Sequence, residues 1–173
     1  MIPRPHYIGW LNRWKDEPVI KVVTGLRRCG KSSILKLFQE HLLEGGVSDS
    51  SIISINFESL DEEYPTEAKA LYNYVVRLLK GRVNYVFLDE VQHVKDFERA
   101  VDALALREDV DLYITGSNAY MLSGELATLL TGRYVELRML PLSFAEFRSA
   151  WNSGADDDSL FQRYMSYGGM PFT

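Results

Sequence analysis

Between Val22 and Leu35 the chain reads VVTGLRRCGKSSIL, and few stretches leave a backbone so little choice. β-branched residues favour an extended strand, and a glycine ends it. Gly30, Lys31 and Ser32 follow after a gap of four, and then Ile34, Leu35, Phe38 and Leu42 recur at helical spacing. A strand must therefore pass through a short glycine-bounded loop directly into a helix.

The same rhythm runs through the chain. Val19 to Gly25 (VIKVVTG), Ser51 to Phe57 (SIISINF), Asn84 to Glu90 (NYVFLDE), Val110 to Ser117 (VDLYITGS) and the run RYVELRM before Pro141 read as five strands. Helical stripes separate them: Ala68, Leu71, Val75 and Leu78, then Phe97, Ala100, Val101 and Leu104, then AYMLSGELATLL. A short helix over Pro3 to Lys15 carries Trp10 and Trp14 on one face, EGGVSDS is a loop, and SFAEFRSAW and LFQRYMSYG are helical. Strands that alternate with helices predict an α/β fold around a mainly parallel sheet, with crossovers covering both faces. ADDDS reads as a solvated loop or a helix start, where acids suit the dipole. The chain stops at GGMPFT without a closing element, so we expect the front part of a longer protein.

Gly25, Gly30, Lys31 and Ser32 match G-x-x-x-x-G-K-[ST]. A phosphate chain is a large anion that must be held without clashing side chains. Glycines allow backbone conformations that other residues resist, so that successive N–H groups turn inward as a nest. The helix that follows adds the positive end of its dipole. Lys31 brings a mobile cation to the β- and γ-phosphates, and the Ser32 hydroxyl can ligate Mg²⁺. The bland alternative is a glycine-rich turn that happens to hold a lysine, and the strand before and helix after weigh against it.

Hydrolysis needs a metal partner and a group that positions water, and YVFLDE supplies both types. Asp89 falls at the carboxyl end of a buried strand, where ligands bind in open parallel sheets. There it can hold Mg²⁺ through the metal's water shell. Glu90 can take a proton from the attacking water. A third element, ITGSNA, ends the fourth strand with Thr115, Ser117 and Asn118; Asn118 or Ser117 is the candidate to sense the phosphate, and either would equally serve as a helix N-cap.

Composition removes other classes. A net charge of −5 argues against a general affinity for nucleic acid, although it leaves room for a local basic patch. One cysteine, Cys29, rules out an internal disulfide framework and fits a reducing, cytoplasmic setting. MIPRPHYIGW lacks the features of a signal peptide, and no apolar run approaches the roughly 20 residues that span a bilayer. His6, His41 and His93 do not combine with Cys29 at a metal-ligand spacing.

Taken together, TGLRRCGKSSIL, FLDEVQ, ITGSNAYML, TGRYVELRMLPLSFAEF and YGGMP resemble a widespread group of prokaryotic AAA-type ATP-binding proteins of the AAA+ superfamily, from about Arg4 to Pro171. The resemblance implies a P-loop NTPase fold, a three-layer α/β/α sandwich with sheet order 5-1-4-3-2. It implies a helical segment over 1–18, an ATPase core over 19–140 and the start of a helical extension over 141–173, with a C-terminal domain to follow. Gly25, Leu26, Arg27, Arg28, Cys29, Gly30, Lys31, Ser32 and Ser33 would bind nucleotide as Walker A, and Val86 to Glu90 would be Walker B. Ser32 and Asp89 would hold magnesium, Glu90 would be the catalytic base, and Asn118 or Ser117 the sensor. Asn56 sits where the superfamily often places a polar switch that restrains the glutamate, and the segment near His6 and Tyr7 would touch adenine. Arg133 in TGRY is an arginine finger in that frame, or a cap on the turn before strand five. There is no clear second sensor arginine. Implied partners are ATP and ADP, further copies of the chain in a homo-oligomer, the C-terminal domain of the same protein and an unidentified protein partner; neither nucleic acid nor membrane is indicated.

For the remaining residues the plain readings lead. Arg27 and Arg28 are solvated or reach a partner. Cys29 is packed, although a helix N-terminus can activate a thiol. His93 is a surface histidine, and Tyr64, Tyr72 and Tyr74 are packing residues. Three functions compete: an Mg²⁺-dependent ATPase, a slow nucleotide-dependent switch acting on a C-terminal partner domain, and a P-loop kinase. Adjacent Asp89 and Glu90 count against the kinase, because a water-positioning glutamate would waste ATP. The absence of an Asn-Lys-x-Asp guanine reader favours ATP.

Overall fold

A computed structural model describes residues 2–59, 63–116, 132–151 and 156–171. Helix α1 (Pro5–Arg13) has Pro5 at its first position, where the missing N–H costs nothing. It leads into β1 (Ile20–Gly25) and α2 (Lys31–Glu44). Then come β2 (Ile52–Asn56), α3 (Ala68–Leu78), β3 (Asn84–Asp89), α4 (Phe97–Ala105), β4 (Val110–Thr115) and β5 (Tyr134–Met139). Two further helices, α5 (Phe144–Ala150) and α6 (Asp157–Tyr167), complete the described elements.

The five strands form one sheet of order β2-β3-β4-β1-β5, all pairings parallel. Read from the other side this is 5-1-4-3-2, the order expected above. β1 and β3 are buried along their whole length, as strands covered on both faces must be. Successive side chains serve opposite faces. Val22, Val86, Leu88 and Ile114 pack with Leu71, Val75, Phe97 and Val101 of α3 and α4. Val23, Phe87 and Tyr113 pack on the other face with Leu11 of α1 and with Leu35 and Phe38 of α2. Phe87 stacks on Tyr113 with ring centres 4.7 Å apart, and Phe38 lies 5.4 Å from Tyr113. The three layers follow from this alternation.

The acidic run does start a helix: Asp156 caps α6 by accepting from the Ser159 N–H at 2.9 Å. Ser143 and Glu146 form a capping box on α5. Tyr64, Tyr72 and Tyr74 pack against the α3/α4 side of the core. The sequence AYMLSGELATLL lies outside the described residues.

At the amino edge of the sheet, two charges sit inside otherwise apolar strands. Lys21 of β1 is fully buried and its ammonium pairs with Asp111 of β4 and with the Glu17 carbonyl at 2.7 Å. Asp111 also accepts from the Tyr113 hydroxyl and from the Asp16 N–H, both at 2.9 Å. Tyr85 of β3 donates to Asp16 at 2.7 Å. The segment after α1 is thereby tied beneath three strands.

Candidate functional site

At the opposite, carboxyl edge the chain leaves β1 at Gly25 (φ 154°) and reaches α2 through a loop in which Arg28 (φ 66°) and Gly30 (φ 102°) also take positive φ. A side chain at Gly25 would begin 2.7 Å from the Met139 carbonyl and 2.8 Å from Cys29 Sγ. Only glycine fits where the loop is wedged between β5 and its own return. Alternating backbone handedness turns N–H groups to one side, the geometry of an anion nest, and α2 begins at Lys31 directly behind it. A cavity of about 330 Å³ opens there, lined by Arg27, Arg28, Lys31, Ser32, Glu58 and Glu90. Leu26 and both arginines are exposed on its rim. Arg27 is held by Glu58 at 3.1 Å.

The acidic pair of β3 faces this loop. Asp89 is buried, and both the Ser32 hydroxyl and the Thr115 hydroxyl bond to its carboxylate. Burial pushes the Asp89 carboxyl above its ordinary range against the pull of those two hydroxyls. A serine hydroxyl beside a carboxylate is an all-oxygen donor pair, which suits a hard cation such as Mg²⁺. Among the described residues no group of three His, Cys, Asp or Glu could hold a metal, so a cation here would depend on phosphate oxygens and water for its remaining ligands.

Glu90 takes a left-handed backbone (φ 55°, ψ 46°). For a non-glycine residue this costs of order 1 kcal/mol or more, and such strain collects at functional sites. Its N–H donates to Thr115 Oγ1 at 2.9 Å, so one hydroxyl at the end of β4 fixes both acids. The Glu90 carboxylate is engaged twice: Oε1 lies 3.2 Å from Lys31 Nζ, and Oε2 accepts from Gln92 Nε2 at 2.6 Å. Gln92 Oε1 is buried without a hydrogen-bond partner, a deficit of about 1–3 kcal/mol.

A second cleft of about 210 Å³ shares Gly30 and Ser33 with the first and continues along α2. Ile2, Ile34, Leu37, Leu142 and Pro171 make it mostly apolar. Arg4 frames it. This buried guanidinium donates to the Cys29 carbonyl at 3.3 Å, to the Leu140 carbonyl at 3.0 Å and to Glu146 at 2.8 Å. The YGGMP segment closes the far wall, for Gly169 accepts from the Leu142 N–H at 2.6 Å, so close that a methyl group on Gly169 would meet the Leu142 carbonyl at 2.2 Å. A smaller hollow of about 110 Å³, by Glu17, Val83 and Arg107, lies at the far, amino edge of the sheet.

Gly25, Leu26, Arg27, Arg28, Cys29, Gly30, Lys31, Ser32 and Ser33 therefore form one loop and helix start, with Asp89 and Glu90 across from it. Other expectations fare differently. Asn118 and Ser117 lie outside the described residues. Asn56 does not reach Glu90; its Oδ1 accepts from the Glu58 N–H at 2.9 Å, a local turn that outcompetes the longer reach. Arg133 stands at the amino end of β5, where its carbonyl accepts from the Ile20 N–H, and its side chain pairs with Asp102 of α4 at 2.6 Å. The length of β1, about 20 Å at ~3.3 Å per residue, separates it from this chain's own phosphate loop. His6 is exposed, and Tyr7 is buried with its hydroxyl on the Leu140 N–H at 3.1 Å. The tie between Glu90 and Gln92 was missed; a glutamine two residues past the glutamate was its only sign in the sequence.

Cys29 is fully buried, and burial pushes its thiol up, outweighing the nearby Lys31 and Arg4 charges. We expect alkylation of native Cys29 at pH 8 to be at least about 100-fold slower than of the unfolded chain. A stopped-flow thiol assay showing comparable rates would contradict this packing.

Comparison with known proteins bears on the family and the fold. A family model described as AAA domain matches residues 17–148. An uncharacterised protein of Haemophilus influenzae is 39% identical over 99% of this chain, which spans 44% of that relative's length. The solved Walker-type ATPase of Pyrococcus abyssi aligns over 99% of this chain and 65% of its own, with a TM-score of 0.67 at 16% identity. The S. cerevisiae Hsp104–ADP complex aligns over 99% of this chain and 29% of its own, with a TM-score of 0.69 at 16% identity. At such low identities the two structures speak for the fold. The family match covers most of the chain, and the protein belongs to the AAA domain family of P-loop ATPases.

Proposed function

We propose that this domain binds Mg·ATP at the β1–α2 loop and hydrolyses it to ADP and phosphate. The observation that carries this is the Lys31–Glu90 contact of 3.2 Å, which puts a phosphate-seeking cation and a proton acceptor at one buried point. The triphosphate lies along the loop N–H groups, and the base and ribose extend over Gly30 and Ser33 into the apolar cleft by Ile34 and Leu37. Bound Mg²⁺ would neutralise charge on the β- and γ-phosphate oxygens. Ser32 and Asp89 would hold that ion, and Thr115 keeps Asp89 in place. Lys31 leaves Glu90 for the phosphates and balances charge there. Glu90 then accepts a proton from water as the water oxygen bonds to the γ-phosphorus and the bond to the β–γ bridging oxygen breaks. Asn118 or Ser117 completes this reading as the phosphate sensor.

Arg133 lies too far from this chain's own phosphates to act on them, and from this two consequences follow. If Arg133 of a neighbouring copy serves, hydrolysis is shared between subunits. If none serves, turnover is slow and the domain acts as a switch on a C-terminal partner domain. Phosphate release from Mg·ATP at low and high protein concentration separates these. We expect activity to rise faster than linearly with concentration. Linear, fast turnover would count against a shared site, and tight ATP binding without turnover would favour the switch.

A further inference from the structure

Gln92 stands on the 3₁₀ turn Val91–His93, immediately after the left-handed Glu90. Val91 and Val94 are fully buried on either side of it, so the turn is anchored in the core. The two oxygens of Glu90 thus have partners of different kinds. Oε1 faces Lys31, a flexible cation standing where phosphate would compete for it. Oε2 faces the amide of Gln92, which belongs to the same anchored turn and carries no charge for a phosphate to attract. The amide can face Glu90 only by its NH₂ end, because the reverse would press two acceptors together at 2.6 Å. That orientation is kept even though it strands Gln92 Oε1 without a partner. A charge-assisted hydrogen bond therefore outweighs a neutral one at this position.

We propose that Gln92 is a positioning residue for Glu90: its amide pins Oε2 while a triphosphate draws Lys31 off Oε1, leaving Oε1 alone to face the attacking water. In the nucleotide-free protein the same two contacts keep the carboxylate occupied, so the base is released only when phosphate arrives. The role rests on the ATPase reading. It also replaces Asn56, whose side chain is committed to Glu58.

Gln92→Met keeps the length and apolar bulk of the side chain and removes the amide. Two measurements on the full chain test the role. In steady-state phosphate release, Gln92→Met is expected to lower kcat about 10- to 100-fold with KM for ATP and affinity for ADP changed less than about twofold; retained ADP affinity also reports that the variant folds. In the nucleotide-free protein, the Gln92 side-chain amide resonance, assigned by its loss in Gln92→Met, is expected to shift when Glu90 is replaced by glutamine. An unchanged kcat, or a fall in kcat matched by weaker ADP binding, overturns the role. A resonance indifferent to Glu90→Gln overturns it whatever the turnover. If the wild-type chain releases no phosphate at any concentration, the hydrolysis reading fails and takes the role with it, and a resonance that still responds to Glu90→Gln distinguishes that failure from a missing contact.

Discussion

Replacing Glu90 by glutamine is expected to reduce phosphate release by at least about 100-fold while ATP binding stays equal or tightens. The amide is nearly isosteric with the carboxylate, so the Thr115 bond to the backbone and the turn that follows persist. What disappears is the carboxylate that we propose as the proton acceptor. Binding should not suffer, because Lys31 no longer has to leave a carboxylate 3.2 Å away before it meets phosphate. Side-by-side measurement of phosphate release and of nucleotide binding by calorimetry separates the two effects. Unchanged release would show that another group takes the proton, and weakened binding would show that Glu90 helps to shape the loop.

The second large effect lies at the other end of the sheet. Asp111→Asn should cost about 3–5 kcal/mol, since it leaves the fully buried Lys21 ammonium without its counter-charge. For a chain of this size that corresponds to a fall in Tm of roughly 6–20 °C. The joint replacement Lys21→Met with Asp111→Leu should recover part of the loss, because no bare charge remains. Recovery will be incomplete, for Asp111 also receives the Asp16 N–H and the Tyr113 hydroxyl. A fall of less than about 1 kcal/mol in urea unfolding would mean that water reaches Lys21 after all.

That ion pair illustrates what a sequence gives up and what it keeps. Val22, Val23, Phe87, Ile114 and their neighbours announce strands through β-branching and burial, so the sheet could be anticipated, and its order came with the family resemblance. The phosphate loop was equally plain, because the glycine spacing and the conformations at Gly25 and Gly30 are one constraint seen twice. Lys21 and Asp111 were visible as lone charges in apolar runs, yet nothing local says that β1 and β4 are neighbours. Asn56 turns away from Glu90, and Arg133 stands away from its own chain's phosphate loop, for related reasons. A short amide prefers its own backbone two residues on. An arginine at the start of a parallel strand must emerge at the edge away from the ligand. Gln92 was hidden because its reach depends on the left-handed turn at Glu90, which the residue type does not disclose.

Strand β1, from which the phosphate loop springs, has no neighbour near it in the chain. Val22 pairs with Ile114 on one side and Glu136 on the other. On a ribosome adding roughly 5–20 residues per second, on the order of ten seconds pass between the synthesis of Val22 and that of its second partner. Throughout that interval an apolar strand and a glycine-rich loop wait without a sheet to hold them. A ligand of that loop can therefore stabilise only a nearly finished domain, and β1 stays open to pairing elsewhere until β4 and β5 have been made.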